Sequence, residues 1–144
     1  MIELIFVIVI IGVLAAVAIP KLAATRTDAL ISVKAQNIMA GTNEIAAYAM
    51  SKGKTLSSII SMSAGFGALV KSGEANDTGN YKIEIKEGNL NDCIIFEILN
   101  PGSDTETLSI DYGSGSADEQ CKLLRKLIDP EEFPMKLHGT SVVY

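Results

Sequence analysis

Sixteen consecutive residues, Leu4 to Ile19, carry no polar or charged side chain, and a single acid, Glu3, stands just ahead of them. A helix built from such a run has no face suited to water, so it lies in lipid or inside a bundle of similar helices. At about 1.5 Å per residue the run spans roughly 24 Å, somewhat short of a typical hydrocarbon core of about 30 Å. That length suits a provisional membrane span. A secretory signal peptide is the competing reading, but it calls for a basic segment before the run and a small-residue cleavage site soon after. Here an acid comes first, and a helical pattern continues beyond the end.

The remainder has a different character. The apolar share of 48% and the mean hydropathy of +0.30 average over the opening run and an ordinary water-compatible chain. Past Pro20, the residues Ile31, Ala35, Ile38, Thr42, Ile45 and Ala49 recur at spacings of four and three, with the charged residues between them. This is a one-sided amphipathic helix. Ser51-Lys52-Gly53-Lys54 ends it. The pattern predicts one helix of about fifty residues and about 75 Å, lipid-compatible in front and amphipathic behind. Pro20 removes a backbone donor within it and should loosen or kink it, while Gly12 permits close helix–helix approach.

The expected fold class is α+β: a long N-terminal helix over 1–52, packed on a small antiparallel-sheet head over 53–144 with a C-terminal helix. Within the head, Thr55 to Lys71 reads as a short helix and Gly73 to Gly79 as a polar loop. Tyr81 to Lys86 alternates cleanly and predicts a strand, with Glu87-Gly88-Asn89 as its turn. Cys93 to Leu99 is more apolar and predicts a central strand; Thr107 to Tyr112 predicts a third. After the Gly113–Ser116 break, a helix is expected from Ala117 to Asp129, with Cys121, Leu124 and Ile128 on one face and Leu123 and Leu127 widening it. Thr140 to Tyr144 is expected to close the sheet as an edge strand.

Charge narrows the partners. A net charge of −5 with scattered Lys and Arg argues against nucleic acid as the principal ligand, since phosphate neutralisation needs a clustered basic face. Lys21 and Arg26 stand alone beside the apolar run, so an anionic membrane surface is not courted by a polybasic flank. Two cysteines, Cys93 and Cys121, in a chain with a membrane-entry segment suit an oxidising compartment and one disulfide; two buried free thiols are the other reading. No metal or cofactor site is expected. His138 is the one histidine, and no C-x-x-C spacing occurs.

The opening resembles the N-terminal signature of type IV pilins and type II secretion pseudopilins. The residues that carry the resemblance are Glu3, the apolar run to Ile19 with Phe6 and Gly12 in it, the segment Leu14-Ala15-Ala16-Val17-Ala18-Ile19-Pro20, and Lys21. Together they cover about the first thirty residues. The family's glutamate stands fifth in the mature chain and here stands third, so the sequence reads as two residues short of the family's methylated start. The resemblance implies a helix stored in the bacterial inner membrane, processed by a prepilin peptidase, and bundled with copies of itself by a pilus assembly machinery. It implies that Glu3 pairs with a neighbouring subunit's N-terminal ammonium, and that the helix melts locally at Pro20 on assembly. Apart from the resemblance, a carboxylate costs up to about 2.5–3.5 kcal/mol at mid-bilayer and less near the interface, so Glu3 either needs an offset or is a headgroup-level residue with no partner.

Other motifs are weaker. Asn76-Asp77-Thr78 is an N-glycosylation sequon in the expected polar loop, and one such triplet arises readily by chance. His138, without a paired carboxylate or nucleophile, reads as a surface residue. Asp104, Glu106, Asp111, Asp118 and Glu119 gather near the third strand; the resemblance to pseudopilins, some of which bind calcium through a C-terminal loop, implies an oxygen-rich site as one reading, but no EF-hand spacing exists and a solvated acidic rim is the preferred one. Only Phe6 and Tyr48 are aromatic within the long helix, too sparse for a conductive stack. The expected function is a structural subunit, the major pilin, of an extracellular type IV pilus-like filament that could serve adhesion or motility. The alternatives are a pseudopilin of a secretion or DNA-uptake system and a monomeric membrane-tethered binding domain. No convergent catalytic set marks an enzyme.

Overall fold

The computed structural model describes residues 1–114 and 118–138. Helix α1 runs unbroken over Ile2–Lys52, through Pro20, and is terminated by Gly53. Gly53 takes the left-handed conformation (φ 65°) and its N–H bonds the Ala49 carbonyl at 2.8 Å, the usual way an αL glycine satisfies a helix's last carbonyls. The chain then turns back along α1 through a single 3₁₀ turn, Ile59–Ser61, into α2, Ala64–Lys71. The expected single helix over 55–71 is therefore two shorter pieces. Ser63 separates them because its hydroxyl caps α2, accepting from the Phe66 N–H at 3.1 Å.

Five antiparallel strands follow: β1 (Ala75–Asp77), β2 (Lys82–Glu87), β3 (Leu90–Leu99), β4 (Thr107–Asp111) and β5 (Met135–Lys136), hydrogen-bonded in that order. α3, Glu119–Leu127, lies between β4 and β5 in the chain, capped by the Asp118 carboxylate, which accepts from the Cys121 N–H. Two expectations change. Residues 75–77 are an edge strand, not loop, because Ala75 pairs with Ile85 and is buried at the foot of the sheet. Tertiary pairing overrides the poor strand propensity of Asn and Asp there. β3 begins three residues earlier than expected, since Leu90 pairs with Glu87 and extends the hairpin. The expected Thr140–Tyr144 strand lies outside the described residues; β5, at 135–136, borders β4.

One core holds helix and sheet together. All six residues of the amphipathic stripe are buried, from Ile31 to Ala49, and Ile38, Thr42, Ile45 and Ala49 have no exposed surface. Against them pack Ile59, Phe66 and Leu69, then Ile83, Ile85, Ile94, Phe96 and Leu108 from the sheet. Phe66, Phe96 and Phe133 form a chain of tilted rings with centroids 5.7 and 5.5 Å apart. Gly65 lets α2 sit directly on α1, since a Cβ there would stand 3.1 Å from the Asn37 carbonyl and 3.3 Å from Gly41. The expected apolar face of α3 is only partly buried: Cys121, Leu124 and Ile128 are covered, while Leu127 remains 44% exposed.

Cys93 of β3 and Cys121 of α3 form the disulfide, bridging 28 positions. A loop of that size is worth about 3–4 kcal/mol by constraining the unfolded chain. Reduction, or the pair Cys93→Ser and Cys121→Ser, is expected to lower stability by that amount in denaturant titrations of detergent-solubilised protein. Ile38→Ala should cost about 2–5 kcal/mol, because it opens a cavity at the helix–head seam. The same titrations check it.

Candidate functional site

The part of α1 ahead of the head has no core. Its most apolar window has a mean hydropathy of 3.1 with none of its residues buried, and it is long and apolar enough to cross a membrane. A signal sequence near an N-terminus meets the same two criteria. Phe6 is 67% exposed and Ile19 66%. Glu3 is the only acid in the first turn, where the helix's free N–H groups favour negative charge, and it makes no ion pair among the described residues. A Cβ at Gly12 would meet nothing within 4 Å, so that site is open to a neighbouring helix. Pro20 deprives the Ala16 carbonyl of its usual donor, leaving a weak rung in a helix that is otherwise continuous.

The apolar surface does not stop at Pro20. Leu22, Leu30 and Val33 are each more than half exposed, on the side of α1 away from the buried stripe. The small residues Ala40 and Ala47 continue that side at heptad spacing and are also exposed. The sequence pattern assigned α1 one apolar face behind Pro20; the fold gives it a second, narrower one. Its signal was the run Ala29-Leu30 followed by Val33, which falls off the main stripe.

Polar joints fix how α1 is rotated under the head. Lys34, 8% exposed, donates to Glu87 Oε2 at 2.6 Å and to the Lys86 carbonyl at 3.0 Å, and lies 3.2 Å from Glu74 Oε1. Farther along, Glu44 Oε2 accepts from the Ser63 hydroxyl at 2.8 Å and from the Gly65 N–H at 3.0 Å. An anion from α1 thus caps the positive end of α2. The Gly65 N–H first and the Ser63 hydroxyl second hold the Glu44 carboxyl below its ordinary range, against a smaller opposing effect of burial.

The other sequence candidates are dispersed. Glu106 is buried, one carboxylate oxygen accepting from the Thr55 hydroxyl and the other facing His138 Nδ1 at 3.0 Å. His138 is therefore largely covered, its ring set against the buried Glu106 carboxylate. Asp118 caps α3, and among the described residues no three His, Cys, Asp or Glu side chains gather to hold a metal ion. Asn76 is exposed in β1, opposite Glu84, and the Thr78 hydroxyl of its sequon donates to the Lys82 carbonyl. Arg125 donates to the Cys93 and Gly113 carbonyls and its guanidinium stands 4.9 Å from the Tyr112 ring centroid, bracing the disulfide.

No protein-family model, curated protein or solved structure matches the chain. The site is its geometry: an uncovered apolar half-helix, led by one acid, continuous with a half-helix that is the spine of a folded head.

The depressed carboxyl of Glu44 carries a pH signature. Its stabilisation is fully present above the ordinary glutamate value of 4.5 and is lost as pH falls through the lower folded value. Glu44→Gln should cost about 1 kcal/mol near neutrality, and the difference from the native chain should shrink in acid. Thermal unfolding between neutral pH and strong acid, followed by circular dichroism, checks both the size and the direction.

Proposed function

We propose that the chain is the major structural subunit of an extracellular type IV pilus-like filament. The observation that carries the reading is the wholly uncovered apolar half of α1, joined without a break to the half that the head buries. A permanent anchor has no use for a second apolar strip, Leu22 to Val33, above the membrane; a helix that leaves lipid for a bundle does. In the stored state α1 crosses the bacterial inner membrane once and the head stands outside it. After processing by a prepilin peptidase, the assembly machinery draws the helix out, and identical helices become each other's solvent.

Lipid and helix interior are about equally apolar, so extraction brings little net hydrophobic gain. Specificity then falls to packing and to Glu3. Its carboxylate is poorly placed in hydrocarbon and is offset by an ammonium at the N-terminus of a neighbouring subunit, which sets the axial register. Gly12 lets helices approach closely, Phe6 fills the space between them, and the weak rung at Pro20 lets α1 lengthen as it packs. The heads form the outer surface, each closed by Cys93–Cys121.

Glu3→Ala tests this directly. Electron microscopy of material sheared from cells should show filaments with the native gene and few or none with the variant, while the monomer still accumulates in the membrane. Unchanged filaments would remove Glu3 from the mechanism. A native chain found only as a membrane monomer would leave a tethered binding domain as the reading.

A further inference from the structure

Along the chain, Lys21 and Arg26 are the only cations near the apolar run. The fold brings others to the segment of α1 that follows them, at Thr27, Asp28 and Ile31. Of the clefts between α1 and the head, those reaching Thr27 lie nearest the apolar run. The larger is an open groove of about 590 Å³ between Thr27, Asp28 and Ile31 of α1 and one side of α3. Its α3 wall carries three cations, Lys122, Arg125 and Lys126. Lys122 and Lys126 are one helical turn apart and exposed; Arg125 is half-buried and held by two neutral carbonyls.

The acids facing the same groove are Asp28 and Glu119, and only Glu119 pairs with a cation there, at 3.7 Å from Lys122. Glu74 and Glu87 line the neighbouring cleft but are engaged by Lys34. Lys21, Arg26 and Lys126 meet no carboxylate in an ion pair among the described residues. The groove itself thus carries three cations against two acids in a chain of net charge −5.

The position matters as much as the charge. Thr27 lies eight positions past Ile19, about 12 Å along the helix. The headgroup layer beyond the hydrocarbon is about 5–8 Å deep, and a further Debye length of about 8 Å lies within reach of an anionic surface. The apolar run is also several ångströms shorter than the hydrocarbon core, so mismatch draws the neck toward the membrane.

We infer that the basic rim of α3, Lys122, Arg125 and Lys126, acts with Lys21 and Arg26 as a contact surface for anionic lipid headgroups while α1 spans the membrane. The inference rests on the membrane-spanning part of the reading above and not on the filament. It gives the membrane-inserted subunit a head-down posture.

The test uses the full chain in two kinds of vesicle, phosphatidylcholine alone and phosphatidylcholine with phosphatidylglycerol at about two to one, with amide hydrogen exchange as the readout. Exchange over 119–127 should slow on the order of tenfold in the anionic vesicles, return to the neutral-vesicle rate in high salt, and be insensitive to lipid in Lys122→Gln/Lys126→Gln. An unchanged thermal midpoint in detergent certifies that this variant is folded. Equal α3 exchange in both vesicles, with residues 5–18 protected in both, would overturn the inference and leave the span standing. Protection of α3 that rises with protein-to-lipid ratio regardless of lipid charge would overturn it in favour of a second copy. Free exchange over 5–18 in vesicles would overturn the span and this inference together.

Discussion

The burial of one stripe of α1, from Ile31 to Ala49, is the contact on which the rest of the molecule is built. These side chains are as much the head's core as the helix's own face: Ile38, Ile45 and Ala49 are fully covered by Phe66, Ile59 and the sheet. The end of α1 at Lys52 is therefore a change of chain direction and not a boundary of packing. Lys34 at the sheet and Glu44 at the start of α2 satisfy their partners in only one rotation of the helix. What the head buries consequently decides what α1 leaves outside, namely Leu22, Leu30 and Val33.

The features that were legible in the sequence share a physical cause, which is strong periodicity sustained over enough residues. The stripe recurs through five intervals, β2 alternates through six residues, and the Ser-Lys-Gly-Lys stop places an αL glycine where the helix ends. The disulfide was open between pairing and free thiols until β3 and α3 were set side by side. The rest depended on neighbours distant in the chain. β1 exists because Ala75 meets Ile85, and the division before α2 reflects a serine that caps instead of continuing a helix. The buried Glu106 and its histidine could not be told from a surface acid and a surface imidazole, because the pairing partners lie 32 positions apart in sequence.

At the candidate site, the residues of the opening run were legible as a group, and their exposure in the folded chain agrees with their composition. The second apolar strip was not, since Leu30 and Val33 look like ordinary scatter until the opposite face is known to be filled. The basic rim of α3 was invisible for a related reason. Lys122 and Lys126 follow the apolar run by about a hundred positions, and only the docking of α3 against Thr27 and Ile31 brings them beside the stretch of α1 that follows it. Charge beside this stretch of α1 is assembled in three dimensions, where a flanking polybasic run would have announced itself in one.

The shared core also determines how the molecule bears tension. A pull along α1 loads the Ile31–Ala49 seam in shear, so its contacts resist together instead of peeling apart in turn. Should that seam give way, the bridge between Cys93 and Cys121 still withholds 28 positions of chain from extension. At about 3.4 Å per residue this is on the order of 95 Å of length that an oxidised subunit cannot pay out. The bond thus limits strain as well as unfolding, and a strand of such subunits would be less extensible oxidised than reduced.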